Sequence, residues 1–300
     1  MALEPGGGRV SVGHRVSSDH QLARLLQIGI VLEEVVEARS YHHYQSLDDA
    51  PALDPEIESL LEHAAAESAA HRERLEELVD ELDAESIPFD EIEARVAYVL
   101  ENGVAPAIVG GDHSTTLPVL RAIADEHGPV SLVQYDAHSD LWTEYFGKDH
   151  NHGTTVHYAI EEGLVDPETS IRIGDRGGLY GPEDVERFEA SGIEYHTIEE
   201  FEAAGVAAMR ERVAEVTEGP TFATIDIDAV DPAFAPGTGT PMPGGMTSRE
   251  LLQLTRALHD VEELVGFDVV EVSPPYDDRS GSTAVLAANV AFEALCALVR

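Results

Sequence analysis

Carboxylate and imidazole side chains recur at every second residue in two short stretches of this chain, each directly after an apolar run that predicts a β-strand. Because residues i and i+2 of a strand share a face, each stretch is predicted to point its polar side chains the same way. A further histidine lies in a Gly-Gly-Asp-His-Ser turn. The six candidate ligands are His113, Asp136, His138, Asp140, Asp226 and Asp228. One divalent ion takes about four to six ligands. Four carboxylates and two imidazoles therefore predict a two-metal hydrolytic site with bridging carboxylates.

The elements that must position these side chains alternate regularly after about residue 87. Apolar, β-branched runs predict strands at Ala105–Val109, Val130–Tyr135, Ser170–Ile173, Ile193–His196, Thr221–Ile225 and Leu264–Val270. Amphipathic segments predict helices at Asp90–Asn102, Ser114–His127, Glu183–Ser191, Glu200–Thr217, Ser248–His259 and Ala284–Leu298. This alternation predicts an α/β fold with a doubly wound parallel sheet covered on both faces. Ligands bind such sheets beyond the carboxyl ends of the strands, which is where the Asp and His clusters lie.

The front of the chain has a different character. Between about residues 19 and 83, apolar side chains follow helical spacing without any strand signal. We therefore expect an α-helical hairpin module over residues 1–86 and an α/β domain over residues 87–300. The hairpin resembles half of a rubrerythrin or ferritin-like domain, a family that holds two irons with Glu-x-x-His motifs. Ser68 stands at the glutamate position before His71, so solvated charged faces are the better interpretation than a di-iron site.

Composition excludes several classes of partner. The chain carries 58 Asp and Glu against 18 Lys and Arg, a formal net charge of −40. Such a surface repels nucleic acid and anionic lipid, which are bound through Lys and Arg. The acidic residues run through the periodic segments, which favours a folded protein in a salt-rich, halophilic cytoplasm. No signal-peptide pattern and no run of about 18 apolar residues is present, so we expect a cytoplasmic protein. The single cysteine, Cys296, is predicted to be a buried, inert thiol.

Five ordered motifs, from about Val96 to the C-terminus, resemble the signatures of the ureohydrolase family, which includes arginase and agmatinase. They are Gly110-Gly-Asp-His-Ser114, Asp136-Ala-His-Ser-Asp140, Ile225-Asp-Ile-Asp-Ala-Val-Asp-Pro232, Ala235-Pro-Gly-Thr-Gly-Thr-Pro241 and Glu271-Val-Ser-Pro-Pro-Tyr-Asp277. Five motifs in family order make a chance match negligible. Family members normally carry two further strands before the first motif, so the resemblance implies an uncovered sheet edge at Ala105–Val109.

The resemblance also implies two Mn²⁺ ions bridged by Asp136 and Asp226. The ligand sets would be His113, Asp136, Asp140 and Asp226 for one ion, and Asp136, His138, Asp226 and Asp228 for the other. Oxygen ligands with two imidazoles suit Mn²⁺. Two nearby cations lower the pKa of a bridging water, so that hydroxide can attack a guanidinium carbon at neutral pH.

Further roles follow from the same resemblance. Glu271 would pair with the substrate guanidinium through two hydrogen bonds. His152 would shuttle protons to the leaving amine, since a histidine titrates near neutral pH. Asp140 would pass a proton from the hydroxide to the leaving nitrogen, and Thr240 would lie beside the guanidinium. Two nearby residues are weaker candidates for the shuttle, His150 and His157.

The far end of the substrate is expected to meet Trp142. In arginases this position is an asparagine that binds the α-carboxylate and α-amine. The aromatic and acidic loop here suits a decarboxylated substrate better, so we expect agmatine to be cleaved to urea and putrescine. The alternatives are guanidinobutyrate, arginine or another guanidino compound, and an inactive protein that only binds metal or a partner. A homo-oligomer is left open.

Overall fold

The described part of the chain is built on one parallel sheet. The computed structural model describes residues 88–145, 149–177 and 182–299, so the predicted hairpin module over residues 1–86 lies outside it and stays a prediction. Six strands pair in the order β1-β6-β5-β2-β3-β4, and every pair is parallel. They are β1 Ala107–Val109, β2 Ser131–Tyr135, β3 Ile171–Asp175, β4 Glu194–Thr197, β5 Pro220–Asp226 and β6 Glu263–Val270. The predicted parallel α/β sheet is confirmed, and each strand lies within two residues of its predicted bounds.

Helices cover both faces of this sheet. They are α1 Phe89–Glu101, α2 Thr116–His127, α3 Thr155–Glu161, α4 Pro182–Ala190, α5 Ile198–Ala204, α6 Val206–Val216, α7 Ser248–Thr255 and α8 Ser282–Leu298. Successive residues of a strand enter opposite cores, as pleating requires. Val133 and Ala223 pack with α5 to α8, whereas Leu132 and Phe222 pack with α1 to α3. No helix within the described ranges combines the length and the apolar character that a membrane crossing would need.

The prediction of a single helix over Glu200–Thr217 is wrong. The segment forms α5 and α6, which meet at Gly205. The φ angle of Gly205 is +82°, a value that residues other than glycine rarely adopt. A reciprocal cap starts α5, because Thr197 and Glu200 each accept the other's backbone N–H. Helix α3 was not predicted, since its seven residues give too few turns for a periodic signal.

Strand β1 forms one edge of the sheet among the described residues, and the expectation that this edge is uncovered stays a prediction. It is only three residues long, and Val109 is 44% exposed. The neighbouring helix α8 also leaves an apolar stripe exposed, formed by Val285, Phe292, Leu295 and Val299. Cys296, on the same helix, is a free thiol but only partly buried, so its predicted burial is wrong. The β1 edge and the α8 stripe form the least covered side of the described domain.

We predict that a Phe→Ala change in the core will cost far more stability than the same change in the exposed stripe. Phe267 is fully buried on β6, whereas Phe292 is 64% exposed on α8. Phe267→Ala should lower the free energy of unfolding by about 3–5 kcal/mol, because it removes a core side chain and leaves a cavity. Phe292→Ala should change it by less than about 0.5 kcal/mol. Urea denaturation at constant high salt measures both. A cost at Phe292 comparable to that at Phe267 would contradict the exposed stripe and show that something covers α8 in solution.

Candidate metal centre and active site

Segments that follow four strands converge at the carboxyl edge of the sheet. The turn after β1 carries His113, the loop after β2 carries Asp136 to Asp140, β5 ends at Asp226, and Glu271 follows β6. Strands β1, β6, β5 and β2 are successive neighbours, so their ends lie side by side. The fold therefore brings the six ligands predicted from sequence into one buried region at the position expected for a doubly wound sheet.

The first group forms around His113. Its Nδ1 atom lies 3.1 Å from Asp136 Oδ2, 2.9 Å from Asp140 Oδ2 and 3.3 Å from Asp226 Oδ2. All four side chains are buried. Their composition is that of the ligand set expected for one ion.

The second group forms around His138. Its Nδ1 atom lies 2.9 Å from Asp228 Oδ2 and 3.7 Å from Asp136 Oδ1. Asp136 thus presents Oδ2 to the first imidazole and Oδ1 to the second, which is the geometry of a bridging carboxylate. Both aspartates accept a backbone N–H at Oδ1, from His138 at 2.6 Å and from Asp228 at 2.7 Å. Asp226 differs in that it faces only the first imidazole, with Oδ2 3.3 Å from His113 Nδ1. Bridging by Asp226 stays a prediction.

The donor set fits a divalent cation. His113 Nδ1 and Asp140 Oδ2 are buried and make no hydrogen bond within the described residues, although they lie 2.9 Å apart. The other ring nitrogen, Nε2, lies 2.8 Å from Thr224 Oγ1. If Nε2 carries the ring proton, the lone pair of Nδ1 points into a group of carboxylate oxygens. Imidazole nitrogens among carboxylate oxygens suit Mn²⁺.

The same groups perturb one another's pKa values. Burial lowers the pKa of His113 and of His138, but the adjoining carboxylates outweigh burial and raise both well above the usual value. Burial and neighbouring carboxylates raise the pKa of Asp226, and burial with Asp136 raises the pKa of Asp140 to about 6. Burial also opposes ionisation of Asp136, yet the two imidazoles lower its pKa. The cluster therefore needs positive charge, from protons or from metal ions.

Glu271 is held in an unusual backbone conformation directly after β6, with φ of +62°. Its Oε1 accepts the backbone N–H of His113 at 2.7 Å. Burial and the nearby Asp112 raise the pKa of Glu271 to about 8. A non-glycine residue at positive φ costs about 1–3 kcal/mol and persists where the surroundings impose it. The result is a buried carboxyl group that a cationic ligand would stabilise in its ionised form.

A cavity of about 260 Å³ opens above the two groups. Its lining combines both histidine ligands with aromatic side chains and with the predicted substrate contacts. The residues that line it include His138, Asp140, Trp142, His152, Thr240 and Glu271. No Lys or Arg is among the described residues of the lining. The cavity is therefore anionic at its floor and suits a cationic ligand.

One wall of the cavity is aromatic. Trp142 stacks on Tyr145 with ring centroids 4.9 Å apart, and Tyr145 meets His152 edge-on at 5.2 Å. The indole Nε1 of Trp142 donates to Asp184 Oδ1 at 3.1 Å, which fixes the ring. His152 Nδ1 lies 3.9 Å from Asp112 Oδ2. His152 thus stands at the cavity wall, with one carboxylate close to its ring.

The remaining predicted site residues are Thr240, His150 and His157. Thr240 lines the cavity and donates its hydroxyl to Asp228 Oδ2 at 3.0 Å. The weaker shuttle candidates lie elsewhere and do not line the cavity. His150 packs against Tyr158, and His157 lies 3.6 Å from Glu161.

The expected strand geometry of the ligand stretches is wrong in detail. Strand β2 ends at Tyr135, before the first ligand, and only Asp226 of the second stretch is still in a strand. Asp140 reaches the first group because its backbone turns to φ of +52°. Asp228 lies in a 3₁₀ turn, where its N–H is held by Asp226. The ligands converge through tight loops, and strand alternation accounts only for where those loops begin.

Several polar residues of the site were not predicted. Gln134 Nε2 donates to Asp136 Oδ2 at 2.7 Å, and Thr224 contacts His113. Each lies two residues before a proposed ligand, in a buried strand where a polar side chain needs a partner. That pattern is the sequence signal that could have identified them. Arg176 donates to the carbonyl oxygens of Asp228 and Met242, both at 2.7 Å. It thereby ties two segments of the site together.

Comparison with known proteins agrees with this fold and site. The family model described as the arginase family matches residues 33–297, and the chain belongs to that family. The match begins well before the Val96 start that the motifs indicated. Guanidinopropionase from Pseudomonas aeruginosa is 48% identical over 211 residues, which are 70% of this chain and 65% of that protein. The chain thus spans just under two thirds of that relative's length.

Solved structures show the same likeness. Proclavaminate amidinohydrolase from Streptomyces clavuligerus is 41% identical, with a TM-score of 0.66 over 70% of this chain and 69% of that one. Arginase from Bacillus caldovelox is 27% identical, with a TM-score of 0.63 over 69% and 73% of the two chains. The described domain therefore has the arginase fold.

We predict that Asp136→Asn will release bound metal, because Asp136 alone presents an oxygen to each imidazole. Metal content after purification in Mn²⁺ should fall from two ions to one or none. Asp260→Asn is the matched control, since Asp260 lies on the surface and pairs only with Arg210 within the described residues. Elemental analysis of both variants measures the change. Two tightly bound ions in Asp136→Asn would contradict the bridging role.

Proposed function

We propose that this protein hydrolyses a small guanidino compound to urea and an amine at a binuclear Mn²⁺ centre, with agmatine as the preferred substrate. The observation that carries the proposal is Asp136, whose two oxygens face two separate imidazole–carboxylate groups beneath a cavity lined by Glu271. His113, Asp136, Asp140 and Asp226 would hold one ion, and Asp136, His138, Asp226 and Asp228 the other. When bound, two such ions lower the pKa of water enough to supply hydroxide at neutral pH.

The side chains around this centre can orient the substrate. The Glu271 carboxylate can accept two parallel hydrogen bonds from a planar guanidinium, and that positive charge would offset the raised pKa of the carboxyl group. Thr240 lies on the same lining and can contact the guanidinium edge. Both side chains are only partly exposed, which limits access of water and strengthens these contacts. The guanidinium carbon would thereby be held over the floor of the cavity.

Proton movement can be assigned to Asp140 and His152. Hydrolysis forms a bond between the water oxygen and the guanidinium carbon, breaks the bond to the amine, and leaves a proton for the leaving nitrogen. Asp140, which lines the cavity and faces His113, can carry that proton from the attacking water to the leaving nitrogen. His152, at the wall beside Tyr145 and Asp112, can exchange a proton between the departing amine and solvent.

The possible substrates differ in the charge that they carry at the end opposite the guanidinium group. The described lining offers carboxylates, imidazoles and the Trp142–Tyr145 wall, with no Lys or Arg to pair with a carboxylate. The ammonium group of agmatine fits such a lining through charge and aromatic contact. A guanidino acid is the second candidate, favoured by the 48% and 42% identity to proteins named guanidinopropionase and guanidinobutyrase. Urea release from these compounds with added Mn²⁺ tests the proposal, and an enzyme that binds two ions but hydrolyses none of them would refute it.

We predict that His152→Ala will separate metal binding from turnover. The variant should retain both ions, because His152 belongs to neither ligand group. Its kcat should fall about 10²–10⁴-fold, the usual loss when an acid–base group is removed. His157→Ala, which changes a histidine outside the cavity, is the control and should keep wild-type kcat. Steady-state assays with metal counting decide the matter. An unchanged kcat in His152→Ala would remove the shuttle role.

We predict that kcat/KM for agmatine will exceed that for arginine by at least about 10²-fold. Arginine would bring an α-carboxylate and an α-ammonium to the Trp142 wall, and leaving buried charges unpaired carries a cost of this size. Guanidinobutyrate and guanidinopropionate should also be poorer than agmatine, because each ends in a carboxylate. Parallel urea assays at equal salt compare all four compounds. If a guanidino acid is the best substrate, the agmatine assignment fails while the guanidino hydrolase assignment stands.

A further inference from the structure

The ring of His113 is held from both sides. Nδ1 faces three carboxylate oxygens, and Nε2 lies 2.8 Å from the hydroxyl oxygen of Thr224 in a fully buried contact. An imidazole that gives the lone pair of one nitrogen to a metal must carry its proton on the other. Thr224 Oγ1 is therefore the acceptor of the Nε2 proton when Nδ1 binds an ion.

A hydroxyl that accepts one proton can donate its own, and Asp268 is placed to receive it. Thr224 on β5 and Asp268 on β6 are register partners, and Asp268 Oδ1 is buried with no hydrogen-bond partner among the described residues. Asp268 is only 1% exposed, and Thr116 donates to its Oδ2 at 2.7 Å. No Lys or Arg within the described residues pairs with it. A buried carboxylate is costly, and the nearest compensation here is the His113 ring reached through Thr224.

We propose that Thr224 and Asp268 are positioning residues, which hold His113 in the Nε2-protonated form and aim Nδ1 at the metal centre. His113 Nε2–H donates to Thr224, and Asp268 Oδ1 on the adjoining strand is a buried acceptor that is open to the Thr224 hydroxyl. Partners of this kind fix the orientation and raise the basicity of a metal-binding imidazole, and losing them typically weakens metal binding about 10–100-fold. The inference rests on the proposed metal centre and is independent of the substrate.

The neighbouring strand repeats this arrangement for the bridging carboxylate. Gln134 on β2 is the register partner of Thr224, and its Nε2 donates to Asp136 Oδ2 at 2.7 Å. Gln134, Thr224 and Asp268 thus form a buried polar row across three strands, one layer below the ligands. Hydrophobic residues would fill this layer in an ordinary parallel sheet. The row supports the ligands from beneath.

Titration of metal-free protein with Mn²⁺ tests the proposal without requiring turnover. Thr224→Val keeps the shape of the side chain but removes the hydroxyl, so the dissociation constant of the ion beside His113 should rise about 10–100-fold. The ion beside His138 should change by less than about threefold. Thr224→Ser restores a hydroxyl and should return the constant to within about threefold of wild type. Asp268→Asn should weaken the same ion, because it removes the carboxylate that receives the Thr224 proton.

A matched control separates positioning from packing. Thr255 is equally buried on α7 and donates its hydroxyl to the Leu251 carbonyl, away from the site. Thr255→Val should lower the melting temperature of metal-free protein without changing either Mn²⁺ constant.

The outcomes distinguish this proposal from the proposed function. Wild-type affinity for both ions in Thr224→Val and Asp268→Asn would overturn the positioning role. An equal loss in Thr255→Val would assign the effect to packing and overturn it too. Two tightly bound ions in the wild type, with the expected variant losses but no urea release from any guanidino compound, would count against the proposed hydrolysis alone.

Discussion

The described structure depends on four carboxylates and two imidazoles that meet in a buried region at the carboxyl ends of β1, β2 and β5. Like charges a few ångströms apart in a poorly solvated site repel strongly, so the cluster is tenable only with positive charge inside it. The raised pKa values of His113 and His138, and of Asp140 and Asp226, express that requirement. Protons satisfy it partially. Two divalent cations would satisfy it fully and would release those protons, which would couple metal binding to the integrity of this edge of the sheet.

The parallel sheet makes such a cluster possible. Both its faces are sealed by helices and packed with apolar side chains, so the backbones of β1, β2, β5 and β6 cannot shift independently. Their carboxyl ends are adjacent, so short segments after β1, β2 and β5 bring the six proposed ligands together and Glu271 follows β6 beside them. The polar row of Gln134, Thr224 and Asp268 lies one layer below the ligands. There the register of the strands determines which side chains are neighbours.

Much of this architecture could be predicted from the sequence, because the strands and the ligand stretches can each be recognised from a short segment. Each strand has an apolar run, and the ligands recur at a spacing that few structural segments use. The backbone turns at Asp140 and Glu271 could not be predicted, since non-glycine residues adopt positive φ only when their surroundings impose it. The contact between His113 and Thr224 joins residues 111 positions apart, and it appears only once the strand order and register are known. Helix α3 was missed because two turns carry no clear period.

The site divides into a floor fixed by the sheet and a wall formed by loops, and this division bears on specificity. Every proposed metal ligand lies at the end of a strand or within five residues after it. Trp142 and Tyr145 lie further along a loop and are held by stacking and by the bond to Asp184. Loops tolerate change because little of the core packs against them. Relatives of this chain bear names that differ in the guanidino compound, such as guanidinopropionase, guanidinobutyrase and agmatinase. A shared floor with a variable wall accounts for such differences. In the proposed reaction, the chemistry would therefore be set by residues that the sheet fixes in place, and the choice of substrate by residues of the loop wall.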